Sequence, residues 1–188
     1  MELKDQIRDY LEALKPRQIH NGYTREAAVL VPLLKRGDEY FFLLTRRTEE
    51  VHTHKGQISF PGGMREMNED LLKTALRETY EEIGIEADRI EVLGRFHDYI
   101  SITGYRVTPF AGFISEPFKI KPQVREVAEV LEIPIRIFLD SKRLRIEKNT
   151  YPNTGMSQLY FYAYGADEIW GLTARIIKEF LESLKLML

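Results

Sequence analysis

Residues 57–85, QISFPGGMREMNEDLLKTALRETYEEIGI, restrict the fold more than any other stretch of the chain. A short strand-like run, QISF, is stopped by Pro61-Gly62-Gly63, and a helical pattern over 69–84 is stopped at Gly84. A strand, a glycine turn and a helix are thereby set in order. The helix carries an electrostatic burden. RETYEEIGI places Glu78, Glu81 and Glu82 within five positions, with Arg77 the only cation. Like charges four apart cost a helix roughly 0.2–0.5 kcal/mol per pair, so something cationic has to gather them.

At roughly 100° per residue, Leu72, Ala75, Leu76, Thr79 and Ile83 share one face, which is the expected core side. Glu78 and Glu82 lie roughly 40° apart along its edge, semi-buried and unpaired. Glu81 sits nearer solvent, where Arg77 can reach it at i,i+4. Hard divalent cations favour such oxygens, and Mg²⁺ takes one or two carboxylates together with substrate phosphates. A run of acids is also the ordinary signature of a solvated helix face. From Arg65 to Glu86 there are seven acids against three bases, which weighs against that plainer reading. Gly62-Gly63, between strand and helix, can bring backbone groups close to a ligand or a metal.

Elsewhere the pattern is mixed. Leu3, Ile7, Tyr10, Leu11 and Leu14 fall at helical spacing before Pro16. Strands are predicted at 26–34, 39–47, 90–100, 106–114 and 127–135, with a short helix at 136–140. LRIEK (144–148) and QLYFYAYG (158–165) suggest a closing hairpin, and Glu168 to Leu186 an amphipathic helix carrying Trp170 at its start. Helix, strands, helix, strands and helix predict an α/β fold, a mixed sheet covered by helices in one domain over 1–188. Residues 1–25 would be the helical lead-in, 26–165 the core and 166–188 the closing helix. The 188 residues are 44% hydrophobic and 30% charged, with a formal charge of -2. That balance offers no basic field for nucleic acid. Without cysteine there are neither disulfides nor thiolate metal sites. No apolar run reaches membrane-spanning length and the first residues lack a signal-peptide core, so a cytoplasmic protein, monomer or homodimer, is expected.

The acidic helix and its glycine turn resemble the box of the Nudix hydrolases, G-x5-E-x7-R-E-U-x-E-E-x-G-U with U apolar. Gly63, Glu69, Arg77, Glu78, Glu81, Glu82, Gly84 and Ile85 stand in register, and Thr79 replaces the first apolar residue. The resemblance implies an α/β/α sandwich with a loop–helix–loop motif that binds Mg²⁺ or Mn²⁺ and cleaves a diphosphate linked to a nucleoside. By position, Glu78 and Glu82 are the expected metal ligands, Glu81 a third ligand or water-holder, and the Gly63 carbonyl a further oxygen. Glu81 and Glu82 are then catalytic as well, while Gly62, Glu69, Arg77 and Gly84 hold the motif together. A carboxylate base in related enzymes often comes from beyond the helix. Glu126 and Glu129 are the candidates here, and ordinary exposed strand acids are the alternative.

A second pattern, LLTRRTEEVHTHKGQISFPGG (43–63), resembles the signature of the coenzyme A pyrophosphatase branch, L-L-T-x-R-[SA]-x3-R-x3-G-x3-F-P-G-G. Leu43, Leu44, Thr45, Arg47, Gly56, Phe60, Pro61, Gly62 and Gly63 match, while Thr48 and His52 depart. His52 replaces a permanent cation with a group mostly neutral at pH 7. Arg46, Arg47, His52, His54 and Lys55 bring basic groups beside the loop, suited to a substrate that has a 3′-phosphate besides its diphosphate. Either arginine could instead be solvated or pair with the acidic helix. Tyr105, Phe118, Tyr160 and Tyr162 are aromatics for stacking on a base or for core packing. Three functions follow from the resemblance: hydrolysis of coenzyme A, hydrolysis of another nucleoside diphosphate derivative (ADP-ribose, NADH, a dinucleoside polyphosphate), or nucleotide sensing without cleavage.

Overall fold

The computed structural model describes residues 2–49, 56–148 and 157–184. Helix α1 (Leu3–Ala13) precedes a hairpin of β1 (Arg25–Arg36) and β2 (Glu39–Arg47), closed by a two-residue turn with Gly37 at φ +59°. Both strands alternate their side chains between two buried faces. Ala28, Leu30, Leu34 and Leu43 pack with Ala75 and Ile83 of α2 (Leu71–Ile83). Val31, Leu33, Phe42 and Leu44 pack with Ile7 and Leu11 of α1 and with Ile176, Ile177 and Phe180 of α4 (Gly171–Ser183). Helices on both faces of a mixed sheet make the expected α/β/α layering.

β1 changes partner along its length. Leu33–Arg36 pair with β2, whereas Ala27–Val29 pair with β4 (Gly62–Met64). β2 pairs at Thr45 and Arg46 with β3 (Ile58–Ser59). The β3–Phe60–Pro61–β4 segment therefore fills the gap where β1 and β2 diverge, and the Leu30 N–H donates to the Pro61 carbonyl at 2.9 Å. On its other edge β1 runs parallel to β7 (Tyr105–Ile114), which also carries β5 (Ile90–Arg95) and β6 (Tyr99–Ile100). β8 (Val127–Pro134) pairs with the outer edge of β2. After the short α3 (Ile135–Leu139), β9 (Leu144–Lys148), β10 (Gln158–Tyr164) and β11 (Asp167–Trp170) form a separate three-stranded sheet. No described helix is long and apolar enough to cross a membrane.

Two expected elements are corrected. The strand over 90–100 is broken into β5 and β6 at residues 96–98, and β5 itself bulges between Val92 and Gly94, φ +151°, where a Cβ would come within 2.6 Å of Leu11 in α1. The helix expected from Glu168 begins only at Gly171. Asp167–Trp170 are a strand, with Ile169 opposite Tyr162, and Gly171 at φ +69° turns the chain into α4. Trp170 stacks on Phe161 of β10, ring centroids 6.1 Å apart.

Candidate active site

Helix α2 is fixed at both ends. The Asp70 carboxylate caps it by accepting from the Lys73 N–H at 2.9 Å, and Gly84, φ +72°, donates its N–H to the Tyr80 carbonyl at 2.8 Å. Thr74, Ala75, Thr79 and Ile83 form the buried stripe. Thr79 is wholly buried, and its hydroxyl donates to the Ala75 carbonyl at 2.7 Å, so the departure from an apolar residue is satisfied within the helix.

The three acids grade outward from that stripe. Glu82 is 5% exposed, and the side chains of Glu78 and Glu81 are 18% and 54% exposed. The expectation that Glu78 is unpaired is corrected: Arg77 Nη1 donates to Glu78 Oε1 at 2.9 Å and to Glu81 Oε2 at 3.0 Å. The same guanidinium reaches back to the loop, through Nε to Glu69 Oε1 at 3.0 Å and through Nη2 to Glu69 Oε2 and the Met64 carbonyl, both at 3.1 Å. Its five donors span both sides because they radiate from one plane. These bonds hold the Glu69 carboxyl down to about 2, and Thr74 adds another at 2.8 Å. Glu69 and Arg77 thus tie loop to helix.

Gly62 and Gly63 are there because nothing larger fits. Gly62 stands at φ +154°, and a Cβ on it would lie 2.3 Å from the Ala28 carbonyl oxygen. A Cβ on Gly63 would lie 2.4–2.6 Å from the Glu78 carboxylate. The Gly63 backbone is therefore packed directly on one candidate ligand.

Glu82 is the electrostatic anomaly. Its Oε2 is buried without a hydrogen-bond partner, and Oε1 is 3.9 Å from Arg47 Nη1. Burial pushes its carboxyl up to about 8; Arg47 and the Gly62 N–H act against that, while Glu78 and Glu126 add to it. Burial likewise raises Glu78, against the pull of Arg77. Two carboxylates that burial disfavours, one with an orphan oxygen, form a donor set suited to a hard cation. Among the described residues no three such side chains are already gathered into a metal cage. Arg77 draws Glu78 and Glu81 outward, and a Mg²⁺-type ion needs only one or two protein carboxylates beside substrate oxygens.

Facing the helix, the chain after β7 is tied to the C-terminal end of α2 by Lys121 N–H to the Ile83 carbonyl (2.8 Å) and Gln123 N–H to the Glu82 carbonyl (2.9 Å). These bonds set Glu126 across a cavity of about 550 Å³ from Glu78, Glu81 and Arg77, with Gln123 and Arg65 also on its wall. Glu126 is thus brought to the acids, and Glu129 is not. Glu129 accepts from Arg46 Nε at 3.1 Å, and Arg46 clamps both oxygens of Asp167 at 2.8 Å. Alternation along β2 explains the split: Arg47 shares the face of Leu43 toward α2, and Arg46 that of Leu44 toward the small sheet. Arg46 is therefore a strut to β11 and lies away from the cavity. Tyr105 stands opposite Arg25 at the start of β7, also off the cavity wall. His52, His54 and Lys55 lie outside the described residues. Gln123, Arg65 and Arg25 belong to no motif, and their place near the site emerges only from the strand pairing and the helix-end bonds.

A family profile described as the NUDIX domain matches residues 24–151. An uncharacterised Nudix hydrolase, NudL of Photorhabdus laumondii, is 34% identical over 175 residues, 90% of this chain and 90% of that protein. Among solved structures, a MutT/nudix family protein from Enterococcus faecalis aligns with a TM-score of 0.58 at 18% identity, covering 98% of this chain and 70% of that one. A MutT protein from Methanosarcina mazei aligns with a TM-score of 0.56 at 18% identity, covering 92% and 99%. These two likenesses are of fold.

Proposed function

The chain belongs to the Nudix hydrolase family, and from that premise we propose that it hydrolyses the diphosphate of coenzyme A, or of an acyl or oxidised derivative, to 3′,5′-ADP and 4′-phosphopantetheine or its derivative. The observation that supports catalysis over mere sensing is Glu82: a buried carboxylate with an orphan oxygen, one helical turn from Glu78 and beside the Gly62 N–H. A carboxylate held buried beside a second acid is a cost that a bound divalent cation would offset. The coenzyme A substrate is supported by the pattern over 43–63, whose Arg47 stands 3.9 Å from Glu82.

Glu78, Glu82 and the Gly63 carbonyl would hold the divalent cation, Mg²⁺ or Mn²⁺, with Glu81 at the rim. When bound, such an ion neutralises diphosphate oxygens and acidifies a water for in-line attack. Arg47 adds a fixed positive charge beside the buried carboxylate. Glu126, on the opposite wall, takes the proton of the attacking water. As the water oxygen bonds to phosphorus, the bridging P–O bond breaks and its electron pair leaves with the departing phosphate. Arg77 keeps Gly63 and Glu78 in register through Met64 and Glu69.

One observation favours the second reading, a different nucleoside diphosphate derivative: Arg46 is spent on Asp167 and Glu129, which leaves fewer cations for a third phosphate. Turnover of coenzyme A, 3′-dephospho-coenzyme A, ADP-ribose and NADH with Mg²⁺ or Mn²⁺, products identified by mass, separates the two. Coenzyme A is expected to be cleaved fastest. Cleavage of ADP-ribose or NADH without coenzyme A would replace the first reading by the second.

A further inference from the structure

A second groove of about 650 Å³ shares Met64, Arg65 and Glu66 with the cavity at Glu78, and Tyr23, Arg25 and Glu26, at and just before the start of β1, line it as well. Its charges are unevenly spent. Glu26 is shared by Arg65 and Arg106, and Arg106 also lies over the Tyr23 ring, 4.7 Å from its centroid. Arg25 is exposed, and among the described residues the only hydrogen-bonding contact of its side chain is the Met64 thioether at 3.6 Å. Glu66, the groove's other acid, is exposed, where water and salt screen it. Met64 and Met67, 40% and 91% exposed, add a deformable apolar wall.

The spacing has chemical meaning. Ala28 stands opposite Gly63, and Arg25, its side chain on the Met64 side of the strand and not on that of Ala28, lies three residues upstream on β1. At about 3.3 Å per residue that is roughly 10 Å of strand, about the length of a nucleoside. A guanidinium without an acidic partner, placed there, suits a phosphate carried on the sugar, which it can grip with two parallel N–H donors. We propose that this groove is an anion subsite in which Arg25 receives a second phosphoryl group of the substrate, one nucleoside away from the scissile diphosphate. The inference rests on the coenzyme A reading and gives that reading a place for the 3′-phosphate that does not depend on Arg46, which is engaged by Asp167.

The test compares binding of 3′,5′-ADP and 5′-AMP, which differ only in the 3′-phosphate, to the full chain with Mg²⁺ by titration calorimetry. The wild type is expected to prefer 3′,5′-ADP by roughly tenfold or more, the scale of one charge-assisted pair. Arg25→Ala should erase that preference and Arg25→Lys keep part of it, because lysine retains the charge and loses the fork. Arg25 makes no ion pair among the described residues, so neither substitution endangers folding, which an unchanged Tm checks. Equal affinities in the wild type, no binding of either nucleotide, or a preference that survives in Arg25→Ala would each overturn the subsite. Turnover is read separately. A wild type that prefers 3′,5′-ADP yet leaves coenzyme A intact overturns the substrate and retains the subsite.

Discussion

Glu82 shows how one side chain can be a liability in isolation and an asset in company. Its carboxylate is buried, has an oxygen with no partner and sits beside Glu78, so the folded chain bears an acid that Arg47, 3.9 Å away, compensates only in part. Glu82→Gln removes the charge and keeps the volume. Turnover is expected to fall by roughly two to three orders of magnitude, the usual cost of deleting one preorganised electrostatic contact. The Tm without metal should not fall, because an amide replaces a strained acid. Divalent ion at a hundred times its Kd should stabilise the wild type by about 2.7 kcal/mol and the variant by far less. Near-wild-type turnover in Glu82→Gln would mean that this carboxylate is not a ligand.

Among the elements, Arg77 on α2 acts on the loop more than on its own helix. Arg77→Met leaves Glu69, Glu78 and Glu81 facing one another and frees the Met64 carbonyl. Loss of such charge-assisted bonds costs about 2 kcal/mol, so denaturant unfolding should shift to lower concentration, and kcat should fall with it as Gly63 loses its register. Much of this element was legible from spacing. The wheel places Glu82 inward and Glu81 outward, as the structure does, because a helix's period is fixed by its backbone. Two kinds of feature escaped. Ile169 continues the spacing of Leu172 and Ile176, so β11 reads as helix, and only the backbone turn at Gly171 separates them. The Arg46–Asp167 pair joins residues 121 apart, and no local pattern announces it. For the same reason sequence assigned Arg46 to the substrate and overlooked Arg25, whose significance comes from what β4 brings alongside.

For the molecule as a whole, the acid limb of stability should depend on Asp98. It is fully buried, accepts from Thr108 of β7 at 2.6 Å, Arg95 at 2.7 Å and the Ile19 N–H at 3.0 Å, and so joins the segment after α1 to the sheet. Burial opposes its ionisation, but these donors outweigh it and hold its carboxyl below the usual aspartate range. A lowered folded pKa contributes stability that is present above the unfolded value, about 3.9, and disappears as pH falls through the folded one. Asp98→Asn should therefore be less stable at neutral pH and lose stability less steeply below about pH 4, as equilibrium unfolding against pH would reveal. A parallel acid limb in wild type and variant would contradict this. The shared strand β1 carries a last implication. Since Ala27–Val29 hold β4 while Leu33–Arg36 hold β2, the Gly62–Met64 strand is tied to the same strand as the central sheet, and its loss should accompany that of the sheet. Heat or denaturant should extinguish activity and fold in one cooperative step, with no inactive yet folded species between them.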